Sequence, residues 1–328
     1  MAKRKLSKQQ QRRISDQLEH RLHSNDPDSQ TGLLIAHHGK TLLVEDSQQK
    51  QYRCSARQNI GQPVCGDQVI WHAISATEGV ITAIEDRQSL LLRPGFADKL
   101  KPVAANITLI GIVIAPRPEP QEKLIDSYLV AAEYLRITPI IIANKSDLLD
   151  EAAAAEWQRR FGNYQQIGYE TISTSAKTGD GLDQLRSRLC CNSSILLGQS
   201  GVGKSSLVNS LIPAKAIRTD RLSPAIEQGQ HTTSYSALHH LPDFHGENGG
   251  RLIDSPGVRD FRLGHLETAD IAHGFIEFRP FLGNCRFSDC QHRQEPGCAI
   301  QEAVAARAIS PRRLQSYFEL SADDSQFE

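Results

Sequence analysis

The segment GQSGVGKSS, residues 198–206, constrains the fold more than any other stretch of the chain. Its GxxxxGK[ST] spacing is typical of a loop that wraps phosphate groups in backbone N–H groups between a strand and a helix. The segments SILL before it and SSLVNSLI after it fit that strand and that helix. We expect Lys204 to place a catalytic charge on the outer phosphates and the Ser205 hydroxyl to ligate magnesium. The predicted phosphate-binding residues are Gly198, Gln199, Ser200, Gly201, Val202, Gly203, Lys204, Ser205 and Ser206.

A second motif, NKSD at residues 144–147, is suited to recognise guanine. The Asp147 carboxylate can accept hydrogen bonds from the N1–H and the exocyclic amine of guanine, whereas adenine lacks both donors and would leave the carboxylate unpaired. The segment SAK at residues 175–177 follows the next predicted strand, where the Ala176 N–H would contact the guanine oxygen. The predicted base-binding residues are Asn144, Lys145, Ser146, Asp147, Ser175, Ala176 and Lys177.

Two further loops complete a predicted nucleotide site. The motif DSPG supplies Asp254, which would hold magnesium through water, and the Gly257 N–H, which would contact the γ-phosphate. The motif GQHTT supplies a threonine ligand for magnesium, either Thr232 or Thr233. Together the five motifs predict that the chain binds GTP with Mg²⁺.

The motifs occur in an unusual order, because the guanine motif precedes the phosphate loop by more than fifty residues. From about residue 103, predicted strands and helices alternate, which indicates a mostly parallel sheet with helices on both faces. In such a sheet the loops at the carboxyl ends of the strands lie at one edge, wherever the chain begins. We therefore predict a circularly permuted P-loop GTPase domain of the α/β class, with residues 234–241 pairing antiparallel at one edge.

Hydrolysis requires a group that orients the attacking water, and many GTPases use a glutamine directly after the DxxG motif. That position is Val258 here, which cannot orient water. His231, in the GQHTT motif, is the best catalytic candidate, because an imidazole can accept a proton or orient water near neutral pH. The alternative is that His231 only packs or contacts a partner.

Residues 31–87 contain five short predicted strands separated by glycine and proline signals. That count predicts a small barrel of the oligonucleotide-binding (OB) type, with an SH3-like barrel as the alternative. Tyr52 and Trp71 are the aromatic residues of this segment, so we expect contact with RNA backbone and shape rather than with stacked bases. Residues 1–22 carry seven Lys and Arg against two acidic residues, a pattern typical of a solvated tail or of a tail that docks on nucleic acid.

A cysteine-rich segment follows the GTPase motifs. Cys285, Cys290, His292 and Cys298 have the spacing C-x4-C-x-H-x5-C. Three thiolates and one imidazole form a closed tetrahedral set, which predicts one structural Zn²⁺ rather than a catalytic one. Buried free thiols are the alternative. We expect the other four cysteines to fill the core, because they lie in or near predicted strands: Cys54, Cys65, Cys190 and Cys191.

The chain resembles the ribosome small-subunit-dependent GTPase A family, the bacterial RsgA (YjeQ) proteins, over nearly its whole length. The resemblance rests on the permuted motif order and on the segments PVCGDQV, GQSGVGKSSL, GQHTT, IDSPGVR and CRFSDCQHRQEPGCAI. It implies an OB barrel, a permuted GTPase, a C-terminal zinc domain and a role in late maturation of the small ribosomal subunit, and it agrees with catalysis by His231. Thr108 and Ser234 depart from the family's usual Asp and Thr, outside the core motifs.

These observations predict a multidomain α/β protein with four parts. Residues 1–29 form a basic flexible arm, 30–98 the OB-fold barrel, 99–262 the circularly permuted GTPase domain and 263–328 a small, mostly helical zinc-binding domain with its tail. We expect a cytoplasmic protein, because the N-terminus lacks an apolar signal region and the longest apolar run, ITLIGIVIA, is too short to span a bilayer. We also expect it to be a monomer.

Three functions compete at this point. The favoured one is a GTP hydrolase that binds the small ribosomal subunit and its rRNA, with the GTP state controlling docking and release. The second is a GTP-gated switch that acts on a non-ribosomal protein partner. The third is a passive zinc RNA-binding protein with a degenerate nucleotide site, which the intact Lys204, Ser205 and Asp147 oppose.

Overall fold

The computed structural model describes residues 28–38, 41–94, 100–212, 236–246, 249–254 and 266–324. Its strands are β1 (Gln30–His38), β2 (Thr41–Glu45), β3 (Gln51–Ala56), β4 (Gln68–Ala73), β5 (Glu78–Ile84), β6 (Leu90–Pro94), β7 (Leu100–Ala105), β8 (Leu109–Ile114), β9 (Thr138–Ala143), β10 (Glu170–Ser173), β11 (Ser193–Leu197), β12 (Ala237–His240) and β13 (Arg251–Asp254). Its helices are α1 (Glu122–Tyr134), α2 (Glu151–Ile167), α3 (Leu182–Leu189), α4 (Lys204–Leu211), α5 (Thr268–Gly274), α6 (Ala299–Ala305) and α7 (Pro311–Asp324). Across these ranges no helix has the length and apolar character that a membrane span needs.

Strands β1 to β5 close into a barrel in the order β1-β2-β3-β5-β4, and β4 returns to pair with β1. The β3–β5 pair is parallel and the others are antiparallel, so the order differs from a simple meander. Trp71 fills the interior, and its ring centroid lies 4.5 Å from that of Tyr52. Gly32 and Gly79 border the indole, where a Cβ would lie 2.8 or 2.6 Å from an indole atom. The predicted five-stranded OB-type barrel is confirmed.

The GTPase portion of the sheet has the order β12-β13-β11-β8-β9-β10. Strands β13, β11, β8, β9 and β10 are parallel, and β12 pairs antiparallel with β13. The carboxyl ends of the parallel strands therefore lie at one edge, and the guanine motif, the SAK segment, the phosphate loop and Asp254 are all found there. This order confirms the circularly permuted α/β prediction and the antiparallel strand within residues 234–241.

Strand β12 borders the GTPase portion but is not an edge of the whole sheet. Ala237 of β12 pairs with Ala36 of β1, so the barrel and the GTPase strands form one sheet of eleven strands. The sequence patterns could not predict this pairing, because β1 and β12 each have a pattern that is equally typical of an unpaired edge strand. As a consequence, the barrel covers backbone groups that an exposed edge would present to other chains.

Apolar side chains cover both faces of the GTPase portion. One cluster contains Tyr128 of α1 together with Phe275 and Tyr317 of the C-terminal region. The other contains Leu185 of α3 and Leu207 of α4. All six residues of β8 are buried, as expected for a parallel strand covered by helices on both faces.

Three elements differ from the sequence expectation. Strands β6 and β7 form a separate two-stranded hairpin that the spacing did not predict. The segment EAAAAEWQRRF predicts a helix over 151–161, but α2 extends six residues further, because Tyr164 also faces the core, and Gly168, with a φ of 118°, ends the helix. Helix α7, Pro311–Asp324, was not predicted, and it extends into the segment SADDSQFE, whose polar composition predicts a frayed end.

A buried ion network joins α1 to α7. The Arg313 side chain has no exposed surface, and it donates to Asp126 Oδ1 at 2.5 Å and to Glu277 Oε1 at 2.6 Å. The Tyr164 hydroxyl donates to the same Asp126 oxygen at 2.7 Å, and Arg312 donates to Asp126 Oδ2 at 2.8 Å. Burial disfavours the charged guanidinium, but the carboxylates of Asp126 and Glu277 raise the pKa of Arg313 above its usual value. The network thus fixes the C-terminal helices against the GTPase domain.

Removal of Arg313 should destabilise the protein strongly. Arg313→Ala would leave two buried carboxylates without their shared cation, and we expect the free energy of unfolding to fall by about 3–5 kcal/mol in urea denaturation. Arg159→Ala is the matched control, because Arg159 pairs with Glu156 on the surface of α2 and is 77% exposed. We expect that variant to lose less than about 0.5 kcal/mol. Equal losses in the two variants would contradict a stabilising role for the network.

Candidate active site and metal centre

The phosphate loop connects β11 to α4. Gly198, Gly201 and Gly203 have positive φ angles of 142°, 83° and 97°. At Gly198 a Cβ would lie 2.3 Å from the Val113 carbonyl oxygen, so only glycine fits there. Val202 is fully buried in the apolar cluster beneath the loop. These contacts fix a loop that leads into the N-terminus of a helix, an arrangement that binds phosphate.

Lys204 is the first residue of α4, and its ammonium lies over the loop. Its Nζ atom donates to the carbonyl oxygens of Gly198 and Gln199, at 2.6 and 2.7 Å. The Gln199 side chain accepts a hydrogen bond from the Gln121 N–H at 3.1 Å, so the loop also contacts the start of α1. The ammonium therefore lies where the outer phosphates are expected. The exposed hydroxyls of the loop and first helical turn belong to Ser200, Ser205 and Ser206.

Asn144 connects the guanine motif to the phosphate loop. Its buried side chain donates from Nδ2 to the Val202 carbonyl oxygen at 2.9 Å. Its Oδ1 atom accepts hydrogen bonds from the Ala176 N–H at 3.2 Å and from the Thr174 hydroxyl at 3.4 Å. One amide therefore joins the loops that follow β9, β10 and β11.

Lys145 adds a contact between the guanine motif and the loop after β8. The residue has a φ of 61°, and its Nζ atom donates to the carbonyl oxygens of Gly201 at 2.6 Å and Arg117 at 2.8 Å. Arg117 belongs to none of the five sequence motifs of the site. Its position directly after a buried parallel strand was the signal that could have found it, because all such loops share one edge.

Asp147 is oriented by the SAK segment. Its Oδ1 atom accepts a hydrogen bond from the Ser175 hydroxyl at 2.7 Å, and Lys177 Nζ lies 3.7 Å from Oδ2. The Ser175 hydroxyl lowers the pKa of Asp147, which keeps the group in its acceptor-only carboxylate form. This is the form that can accept the two N–H donors of guanine. Ser146 lies beside it in a single 3-10 turn, Ser146–Leu148.

Asp254 ends β13 at the same edge of the sheet. Burial raises the pKa of Asp254 above its usual value, while His239 and Lys204 act in the opposite direction. A carboxylate and the Ser205 hydroxyl are the oxygen donors that Mg²⁺ prefers, so these residues fit that ion. The remaining predicted site residues lie outside the described residues: His231, Thr232, Thr233 and Gly257.

Three sulfur atoms and one nitrogen converge in the C-terminal region. The ligand atoms of Cys285, Cys290, His292 and Cys298 all lie within 4.8 Å of one another. His292 Nδ1 lies 3.5 Å from Cys285 Sγ and 3.4 Å from Cys298 Sγ, and those two sulfurs are 3.9 Å apart. Tetrahedral Zn²⁺, with bonds of about 2.3 Å to sulfur and 2.0–2.1 Å to nitrogen, separates its ligands by about 3.5–3.8 Å. The cluster therefore has the spacing of a tetrahedral metal centre.

Hydrogen bonds shape the loop between these ligands. The Glu295 carboxylate accepts from the N–H groups of Gln291 and Arg293, at 2.9 and 2.8 Å. Gln301 of α6 donates to the His292 carbonyl oxygen at 2.6 Å. His292 itself has a φ of 63°, a left-handed conformation that these contacts support. Such outer contacts orient the ligands of a metal.

Of the other four cysteines, two are buried and two are more exposed. Cys54 and Cys65 are buried, and burial raises the pKa of both thiols to about 12, so they are core residues as predicted. The core prediction is wrong for Cys190, which is half-buried, and for Cys191, which is exposed. Both lie in the turn between α3 and β11 rather than in a strand, and Cys191 has a φ of 60°.

Comparison with known proteins places this architecture in a family. A family model described as RsgA GTPase matches residues 84–264, more than half of the chain. The chain belongs to the RsgA GTPase family. A Hahella chejuensis protein named small ribosomal subunit biogenesis GTPase RsgA is 45% identical over 98% of this chain and 96% of its own. The Pseudomonas fluorescens protein of that name is 48% identical over 88% of this chain and 84% of its own.

Two solved structures resemble this RsgA-family chain. The crystal structure of YjeQ from Thermotoga maritima superposes with a TM-score of 0.74 at 29% identity, covering 92% of this chain and 100% of that one. The structure of YloQ, described as a circularly permuted GTPase, gives a TM-score of 0.69 at 26% identity, covering 93% and 98%. The predicted family, the GTPase class and the permuted fold are confirmed.

The close approach of Gly203 to Asn144 allows the role of the Asn144 amide in nucleotide binding to be tested. A Cβ on Gly203 would lie 2.3 Å from Asn144 Nδ2, the atom that donates to Val202. We expect Gly203→Ala to displace the amide and to weaken GTP binding in calorimetry on the order of 10–100-fold, because a lost buried hydrogen bond costs about 1–3 kcal/mol. Gly61→Ala is the control, since Gly61 has a φ of 88° and open space around its Cβ. Equal losses of affinity would mean that general instability, and not the Asn144 amide, is responsible.

Proposed function

We propose that this RsgA-family protein is a GTP hydrolase that binds the small ribosomal subunit and assists its late maturation, with the GTP state controlling docking and release. One observation carries the proposal. The buried Asn144 amide joins the guanine motif to the phosphate loop, in a chain 45% identical along nearly its whole length to a protein named small ribosomal subunit biogenesis GTPase. The alternative, a GTP-gated switch that acts on a non-ribosomal protein, would be supported by one outcome of the turnover test described below.

Each loop has a defined role in this proposal. The Asp147 carboxylate accepts hydrogen bonds from guanine, and the Asn144 amide keeps that motif beside the phosphates. The first N–H groups of α4 and the Lys204 ammonium bind the phosphate oxygens. Ser205 and Asp254 hold Mg²⁺, which, when bound with GTP, neutralises charge that develops during phosphoryl transfer.

The remaining roles fall on residues outside the described ranges. Either Thr232 or Thr233 is the proposed additional magnesium ligand, and the Gly257 N–H is the proposed contact to the γ-phosphate. Val258 leaves the usual water-orienting position apolar. We assign the orientation of the attacking water to His231, whose imidazole can accept a proton near neutral pH.

The proposed resident metal is one structural Zn²⁺, bound by the three thiolates and by His292 Nδ1. The ligand distances given above support zinc, which favours four sulfur and nitrogen ligands in tetrahedral geometry. Four protein ligands leave no open position for a reacting water. Its role would be to fold the C-terminal region, because binding energy at such a site is folding energy.

The partners and the domain limits follow the same proposal. The barrel, the metal-binding domain and the basic arm would contact rRNA of the small subunit, and the protein would act as a cytoplasmic monomer. The proposed domain limits remain 1–29, 30–98, 99–262 and 263–328. The proposed boundary between the barrel and the GTPase domain falls between strands β6 and β7. Because these two strands pair with each other, their hairpin has one strand on each side of the boundary.

The small subunit should accelerate GTP turnover. We expect the purified protein to hydrolyse GTP slowly alone, because Val258 cannot orient water. With small subunits we expect turnover to be faster on the order of 10²–10⁴-fold, which is the rate contribution of one water-orienting group. The assay compares small subunits, large subunits and no addition. His231→Ala should keep GTP affinity within a few-fold and lose the stimulated rate. Equal rates in all three conditions would favour the non-ribosomal switch.

Metal analysis should find one zinc per chain in protein purified without chelator. We expect Cys285→Ser to release the metal and to unfold the C-terminal helices, because ligation there supplies folding free energy. GTP binding should change far less than the helical signal of circular dichroism. Cys54→Ser is the matched control, since Cys54 is a barrel thiol distant in sequence from the cluster. A metal-free wild-type protein with folded helices would contradict the assignment.

A further inference from the structure

The barrel contacts the GTPase sheet at β12, a strand that lies in sequence between the proposed magnesium threonines and Asp254. Strand β12 begins four residues after Thr233, one of the two proposed magnesium threonines. It precedes β13, which ends at Asp254. The two strands pair along four positions, from Ala237 opposite Asp254 to His240 opposite Arg251. Strand β11 also pairs with β13, up to Ile253, but the residue opposite Asp254 itself is Ala237 of β12.

Atoms of the barrel fix the first end of β12. The Ser236 carbonyl oxygen accepts a hydrogen bond from the Cys65 thiol at 3.1 Å and another from the His37 N–H at 3.4 Å. Ala36 and Ala237 then pair as neighbouring strands. These contacts hold the chain at a point three residues after Thr233.

A side-chain contact fixes the other end of β12. His240 Nε2 lies 2.6 Å from Glu45 Oε1, at the end of β2, and the Glu45 side chain is only 7% exposed. A carboxylate with so little exposure requires a hydrogen-bond donor, and the imidazole supplies it. Because the strand order is β12-β1-β2, this contact spans the intervening strand β1. A shift of β12 relative to the barrel would break it and leave the carboxylate buried.

We propose that Glu45 is a positioning residue for GTP hydrolysis, which acts through His240 to fix β12 relative to the barrel. The contact transmits the docking of the barrel on small-subunit RNA through β12 to Asp254 of β13. The inference rests on the proposed function for the role of Asp254. Glu45 and His240 both lie outside the nucleotide-binding motifs, so their loss alters the reaction rate more than it alters GTP affinity.

A double-mutant cycle tests this inference. The variants are Glu45→Ala, His240→Ala, the double variant, and Glu45→Gln, whose amide oxygen can still accept the imidazole hydrogen bond. The matched control is Glu78→Ala, because Glu78 is an exposed glutamate at the start of β5 in the same barrel. Each protein is assayed for kcat and KM with saturating small subunits, after circular dichroism has established that it is folded.

We expect Glu45→Ala and His240→Ala each to lower kcat on the order of tenfold, as misplacement of a reacting group does, with KM changed less than twofold. The double variant should match the single variants, because both changes remove one contact. Glu45→Gln should retain most of the rate, and Glu78→Ala all of it. Additive losses, or a wild-type kcat in His240→Ala, would overturn the inference. His240 is 38% exposed, so its variant decides the matter if Glu45→Ala does not fold.

Hydrogen exchange in the nucleotide-free protein gives a readout that does not depend on activity. The backbone amides of β12 and β13 should exchange several-fold faster in Glu45→Ala and His240→Ala than in wild type or Glu78→Ala, because the strand pair opens more often. Unchanged exchange would overturn the inference. If wild-type protein shows no GTP turnover with small subunits, the proposed function fails, and exchange alone decides whether Glu45 fixes β12.

Discussion

The hydrogen bonds of one buried amide hold the two halves of the nucleotide site together. Backbone pairing fixes the strands of the sheet, but the loops beyond the strand ends need contacts of their own. Asn144 provides them, since it donates to Val202 in the phosphate loop and accepts from Ala176 in the SAK segment. Because a buried amide left without partners costs about 1–3 kcal/mol, a displacement of either loop is opposed at the other. The guanine motif and the phosphate loop are thus parts of one arrangement.

Circular permutation leaves this arrangement intact and changes what is attached to it. The chain enters the GTPase sheet at the central strand β8, after the barrel, and leaves it from β13 toward the metal cluster. The barrel therefore precedes the guanine motif in sequence but pairs with β12, on the other side of the phosphate loop. The permuted order therefore attaches the C-terminal region directly after β13 by chain connectivity, whereas the barrel reaches β12 through the pairing of Ala36 with Ala237.

The sequence predicted the features that depend on local spacing. The phosphate loop, the guanine motif and the C-x4-C-x-H-x5-C spacing are each complete within about fifteen residues, and alternating strand and helix patterns were sufficient for the parallel sheet. The features it missed depend on contacts between distant segments. The Ala36–Ala237 pair and the contact between Arg313 and Asp126 each join residues far apart in the chain, and no periodicity marks them. Helix α7 was missed for a related reason, because its apolar face is short and its buried arginine resembles a surface residue in sequence.

That buried arginine links the candidate metal site to the distant phosphate loop. Arg313 lies near the start of α7, where it contacts Asp126 of α1, and one turn later Tyr317 places its ring centroid 6.1 Å from that of His292. A metal held by His292 and the ion network would therefore stabilise the same helix from two sides. Helix α1, in turn, begins beside Gln121, whose N–H donates to the Gln199 side chain of the phosphate loop. A metal held by four protein ligands would contribute no reacting group, but the helices that it would stabilise pack against the helix that contacts the phosphate loop. A loss of metal would therefore act on the nucleotide site through the position of α1 rather than through chemistry.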